Sequence, residues 1–165
     1  MLQFRNATID DLPRIVEIYN SIIAGRMVTA DTDPVTVESR VSWFNAHDPY
    51  SRPLWMVIAD GQDIGWVSYQ WFYGRPAYNG TAELSIYLDE KARGKGYGEK
   101  ILQHAIDSCS RLKIKTLLGY IFAHNLPSLK LFRKLGFTDW GHFPRIAVLD
   151  GVERDLIIVG KRINE

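Results

Sequence analysis

One cysteine, Cys109, stands in the whole chain. No intrachain disulfide can form, and a lone thiol suits a reducing cytosol. An excess of charge is missing too. Lys and Arg number 20 against 19 Asp and Glu, for a formal net charge of +1, and no basic run appears. That balance argues against a nucleic-acid binder working through a basic patch. No apolar run approaches the roughly 20 residues that span a bilayer, and the stretch Met1 to Thr8 lacks the apolar centre of a signal peptide. Repeats, low-complexity tracts and linkers are absent. His47, His104, His124 and His142 show no metal-ligand spacing among themselves or with Cys109. No serine sits in a nucleophile-elbow motif. Cys109 falls on an apolar helical stripe and reads as a small core residue.

What is present is enough to fold. With 165 residues, 46% hydrophobic and 24% charged, residues 1–165 read as one domain with a real core. A strand is expected over 2–8. A helix capped by Asp10 follows, with Leu12, Ile15, Val16, Tyr19, Ile22 and Ile23 at helical spacing, and Gly25 ends it. A shorter helix is expected over 35–45, burying Val37, Val41 and Phe44. The run 54–59 reads as a buried strand, joined by the Asp60-Gly61 turn to a partner over 64–72. A polar loop over 73–80 leads to Thr81–Leu88. There Ala82, Leu84, Ile86 and Leu88 alternate with Thr81, Glu83, Ser85 and Tyr87. Helices follow from Gly98 and from Asn125 or Ser128, with a strand over 116–122 between them. Segments 137–143, 145–149 and 154–161 close the chain as strands. The fold class is α/β (α+β): a mixed, mostly antiparallel twisted sheet of about seven strands, antiparallel in its middle, with helices on both faces.

After the Thr81–Leu88 strand stand Arg93, Gly94, Lys95, Gly96, Tyr97 and Gly98. Glycine lets a backbone turn tightly and bring its N–H groups to a ligand, and a helix start adds positive potential. The stretch is therefore a seat for phosphate. It lacks the Gly-Lys-Ser/Thr close of a Walker loop. Counted from Gly94, the last position of a dinucleotide fingerprint is Glu99. What remains is Arg93-x-x-Gly96-x-Gly98, with Asn125-x-x-Ser128 and Leu135-Gly136-Phe137 downstream.

These motifs resemble the acyl-CoA-binding core of the GNAT N-acetyltransferases. The phosphinothricin/methionine-sulfoximine branch is resembled by Ile18-Tyr19-Asn20, Trp43-Phe44, Asp155-Leu156 and the segment Arg75 to Tyr87, with its Tyr78-x-x-Thr81-x-Glu83-x-Ser85-x-Tyr87 pattern. The resemblance implies acetyl-CoA as co-substrate, with no metal. The amides of Arg93 to Gly98 hold its pyrophosphate, Lys95 adds charge, and Ile86, Tyr87 and Leu88 pair with the pantetheine arm. Asn125 and Ser128 touch the same molecule. Glu83 is the base for a small amine acceptor, directly or through water. Arg75, Tyr78 and Ser85 contact that acceptor, and a guanidinium such as Arg75 suits a carboxylate. Trp71, Phe72 and Tyr73 are further candidates to wall the acceptor site. A cytoplasmic homodimer is implied as well. One position departs from the pattern. Where many relatives carry Tyr, or His in this branch, this chain has Phe132, which donates no proton; water or Tyr120 is the alternative. The same fold with a protein N-terminus or lysine as acceptor, and a non-catalytic CoA sensor, are the rival readings.

Overall fold

A computed structural model describes residues 1–164. Its elements are β1 (Leu2–Asn6), α1 (Leu12–Ile23), α2 (Val41–Asn45), β2 (Leu54–Ala59), β3 (Gln62–Trp71), β4 (Thr81–Leu88), α3 (Tyr97–Asp107), β5 (Thr116–Phe122), α4 (Leu126–Lys134), β6 (Thr138–Leu149) and β7 (Val152–Arg162). The seven strands form one sheet in the order β1-β2-β3-β4-β5-β7-β6. Every neighbouring pair is antiparallel except β4–β5. The middle of the sheet therefore holds its one parallel step, where an antiparallel middle was expected. The crossover through α3 returns the chain to β5 in the direction of β4.

Two cores flank the sheet. On one face Val67, Tyr69, Ala82 and Leu84 pack under α3 and α4 with Ile101, Leu102, Leu129 and Phe137. On the other, the α1 stripe of Leu12, Ile15, Val16, Tyr19 and Ile23 covers Leu54, Met56 and Trp66. The alternation of β4 thus separates two buried layers, with Glu83, Ser85 and Tyr87 turned toward the α1 side.

Local chemistry moved several boundaries. β1 stops at Asn6, because Thr8 starts a 3-10 turn over Ile9–Asp11. Asp11, not Asp10, does the capping. Its carboxylate accepts from the Thr8 N–H at 2.7 Å and from both Arg5 terminal nitrogens at 2.8 Å. α1 closes at Ile23, ahead of Gly25. The second helix is shorter than its apolar spacing implied: β-branched Val35, Thr36 and Val37 stay outside it, a 3-10 turn spans Glu38–Arg40, and Val41 is exposed while Trp43 packs inward. β6 runs unbroken through Pro144, where a bulge absorbs the missing N–H. The Arg145 N–H there bonds Asp155 Oδ1 at 2.7 Å.

Arg52 is 1% exposed and has no carboxylate partner among the described residues. It donates to the carbonyls of Ser51, Asn79 and Thr81 at 2.7, 2.7 and 3.3 Å and lies 3.8 Å from the Trp71 ring centre. Those bonds tie the entry of β4, and hence the register of Glu83, to the loop before β2. Among the described residues no helix is long and apolar enough to cross a membrane.

Candidate active site

β4 and β5 pair only at Thr81–Thr116, Ala82–Leu117 and Glu83–Leu118. Beyond Glu83 the strands part. Ser85–Tyr87 then face Gly119–Phe122 across a cavity of about 430 Å³, closed by Met27–Ala30, Asn125, Ser128 and Phe132. Next to it, Leu88, Arg93, Gly98 and Leu131 line a smaller hollow that shares Ile86, Tyr87, Ser128 and Phe132. A groove thus runs from the gap in the sheet to the glycine loop. Gly94 and Gly96 both hold φ at +78°, a conformation that side-chain-bearing residues rarely adopt, and Gly96 caps α3. Lys95 stands exposed between them.

A second cavity, of about 220 Å³, opens on the α1 side of β4. Its floor is a set of cross-strand pairs: Trp66 with Tyr87, Ser68 with Ser85, and Gln70 with Glu83. Its walls include Tyr19, Arg40 and Trp43. Glu83, Ser85 and Tyr87 line both cavities, so this strand face is where the two spaces meet.

Glu83 makes no hydrogen bond or ion pair with any described residue. Burial alone raises its pKa above the usual glutamate value. A carboxyl with a raised pKa and no committed partner is equipped to take a proton. Tyr120 lies on the wall of the larger cavity, with its pKa raised by burial and then by the Glu83 charge. Asn125 is 4% exposed and its amide is spent structurally: Oδ1 caps α4 at the Ser128 N–H, and Nδ2 donates to the Met27 carbonyl at 3.1 Å. Arg75 and Tyr78 sit on the exposed loop ahead of β4 and line neither cavity. Trp71, Phe72 and Tyr73 are likewise outside both. Phe72, Tyr73 and Tyr78 instead pack on one another, with ring centres 4.4 to 6.2 Å apart.

The model of an acetyltransferase (GNAT) domain matches residues 1–138. The chain belongs to the GNAT acetyltransferases. As a member of that family it is an acetyl-CoA-dependent N-acetyltransferase. It is 53% identical over 155 residues to the Bacillus subtilis protein named "Putative phosphinothricin acetyltransferase YwnH", covering 93% of this chain and 94% of that one. It is 31% identical to an L-methionine sulfoximine/L-methionine sulfone acetyltransferase of Pseudomonas paraeruginosa, over 92% and 89% of the two chains. A crystal structure of a Sinorhizobium meliloti phosphinothricin acetyltransferase with acetyl-CoA superposes at a TM-score of 0.90 and 26% identity, over 98% and 88%.

In this GNAT chain Phe132 is a packing residue. It is 8% exposed, its ring lies 4.9 Å from that of Phe137, and it abuts Gly119, where an added Cβ would come within 3.0 Å of the ring. The histidines are tied into structure: His104 stacks on Phe4 at 3.8 Å, His124 contacts the Arg26 carbonyl at 2.8 Å, and His142 pairs with Asp155 at 2.7 Å. Burial pushes the Cys109 thiol up to about 12, as fits a core residue. Sequence reasoning missed the polar face of β3, Ser68 and Gln70, because the aromatics around them dominated the pattern. Their period-2 alternation, set in register with Glu83 and Ser85, was the available signal.

Proposed function

We propose that this GNAT enzyme acetylates the primary amine of a small amino-acid-like acceptor of the phosphinothricin or methionine sulfoximine type, by direct transfer in a ternary complex. The observation that carries this reading is the position of Glu83, shared by a donor-side groove and a separate small acceptor cavity. The small volume of the acceptor cavity favours a small molecule over a peptide, and a half-buried carboxylate with no partner among the described residues is not what a mere CoA sensor needs. The names of the relatives point the same way.

In this mechanism Glu83 takes a proton from the amine, directly or through water. The nitrogen bonds to the thioester carbonyl carbon, the carbon–sulfur bond breaks, and the sulfur leaves with the electron pair. The backbone along Ile86, Tyr87 and Leu88 holds the pantetheine arm by strand addition, and the N–H groups of Ile86 and Leu88, on the edge away from β3, polarise the carbonyl. The Arg93-Gly94-Lys95-Gly96-Tyr97-Gly98 turn seats the pyrophosphate at the start of α3. Ser128 lines the groove, and Asn125 holds its wall. Ser85 contacts the acceptor, with Arg75 and Tyr78 at the outer approach. Phe132 supplies no acid. A thiol pKa near ~8.5 makes the thiolate a tolerable leaving group, and Tyr120 or water can deliver the proton. The Phe72-Tyr73-Tyr78 cluster, with Tyr73 and Tyr78 exposed, suits a homodimer contact, and the single buried thiol suits the cytoplasm.

Thiol release from acetyl-CoA tests the reading with a panel of amines. We expect turnover with phosphinothricin or methionine sulfoximine and none with N-terminal or lysine-bearing peptides. Turnover confined to peptides would remove the small-molecule assignment, and binding without turnover on any amine would favour the sensor.

A further inference from the structure

The acceptor cavity has a polarity of its own. Among its lining residues Glu83 is the only anion and Arg40 the only cation. Around Glu83 the floor presents the Ser68 and Ser85 hydroxyls and the Gln70 amide, groups able to accept from an amine. Ser68 belongs to that set for a definite reason. His47 Nδ1 lies 2.9 and 3.2 Å from the carbonyls of Trp43 and Phe44, so it carries the ring proton, and burial keeps the ring neutral. Nε2 is left as an acceptor, and the Ser68 hydroxyl donates to it at 2.6 Å. With its proton so committed, the Ser68 oxygen has only lone pairs left to offer.

Arg40 is held as firmly from the other side. Its Nη2 donates to Asp31 Oδ2 at 3.0 Å, and its guanidinium lies 5.0 Å from the Tyr19 ring centre. Asp31 is in turn bonded by the Tyr19 hydroxyl, which also contacts Thr29. Asn20 staples the same loop to α1, donating to the Val35 carbonyl and accepting from the Val35 N–H, both at 2.9 Å. The Tyr19-Asn20 pair therefore fixes a guanidinium beside the cavity. One of the two Nη2 hydrogens is spent on Asp31, and the other still forms a two-donor edge with its neighbouring nitrogen. Nε and Nη1 have no hydrogen-bond partner among the described residues and are not buried. A preorganised fork with free donors is what a carboxylate binds best.

We propose that Arg40 grips the carboxylate of the acceptor while its amine lies at Glu83, so that this cavity selects zwitterionic amino acids. The proposal rests on the acceptor reading above, and it gives the carboxylate to Arg40 rather than to the exposed Arg75.

The test compares methionine sulfone with its decarboxylated amine, which keeps the side chain and loses only the carboxylate. Native enzyme, Arg40→Gln, Arg40→Lys and Arg75→Gln are assayed on both. We expect Arg40→Gln to raise KM for the amino acid about 10- to 100-fold. KM for the decarboxylated amine and for acetyl-CoA should stay within about twofold of native. Arg40→Lys should recover part of the loss, since it restores charge without the fork. It also carries the test should Arg40→Gln melt early. An equal loss on both amines would mark a merely structural residue and overturn the proposal. So would an unchanged amino-acid KM, or a carboxylate-specific loss in Arg75→Gln alone. Native enzyme that acetylates neither amine but does acetylate peptides would instead defeat the acceptor reading itself.

Discussion

Replacing Glu83 by Gln is expected to lower kcat at neutral pH by about 10²- to 10⁴-fold, the usual contribution of a positioned base. The acetyl-CoA dissociation constant should barely move, because the amide keeps the size of the side chain and the groove beyond it. The pH profile carries a second signature. Burial raises the Glu83 pKa, so the acid limb of kcat/KM should lie above the ordinary glutamate range. In the Gln variant that limb should vanish, and the deficit should shrink at alkaline pH, where the amine is already deprotonated. Stability should change in the opposite sense. A carboxyl whose pKa is raised by folding binds its proton more tightly in the folded state. Ionising it therefore costs stability as pH climbs from its unfolded value through its folded one. Glu83→Gln should unfold at a higher temperature than native near neutrality, with the gap closing at pH values where both states are protonated. Full activity in the variant would sink the base assignment.

Phe132→Ala should be the most damaging change to the fold near the site. The ring is buried against Phe137 and Gly119. Truncating a buried phenylalanine costs about 3–5 kcal/mol through lost transfer energy and the cavity left behind. For a domain of this size that is a fall in Tm of roughly 6–20 °C, readable by calorimetry. Because the same ring lines the donor-side groove, acetyl-CoA affinity should weaken as well. The shape of the alkaline limb should not change, since this side chain has no proton to give. A variant that melts like native while its pH profile shifts would show that position 132 acts on proton transfer and not on packing.

The parts of this protein legible in its sequence are those set by local periodicity. A strand turns its side chains every second residue, so Glu83, Ser85 and Tyr87 announced a shared face. The α1 stripe announced itself at helical spacing, and both met their partners as expected. Tertiary placement was not legible. Arg40 stands in Glu38-Ser39-Arg40, which looks like any solvated turn, and only the Asn20 and Asp31 bonds bring it to the cavity. Arg75, singled out by the family resemblance, lines neither cavity. The parallel step at β4–β5 depends on where the α3 crossover lands. Pro144 looked like a strand end, but an edge strand tolerates a lost N–H at a bulge.

That parallel step has a consequence for motion in the unliganded protein. Past Glu83 the inner edge of β4 is unzipped, so backbone amides in the centre of the sheet lack the ladder partner that protects their counterparts in β2 and β3. Such amides exchange with solvent through small openings rather than global unfolding. In deuterium-exchange mass spectrometry, peptides covering 85–88 and 119–122 should therefore label early although they lie mid-sheet. Saturating acetyl-CoA should slow them selectively. Ligand at 100 times its dissociation constant adds about 2.7 kcal/mol to the folded state, so the whole sheet should also melt later. Acetyl-CoA would then complete the sheet as a removable strand, and the resting enzyme would be the less cooperative of the two forms.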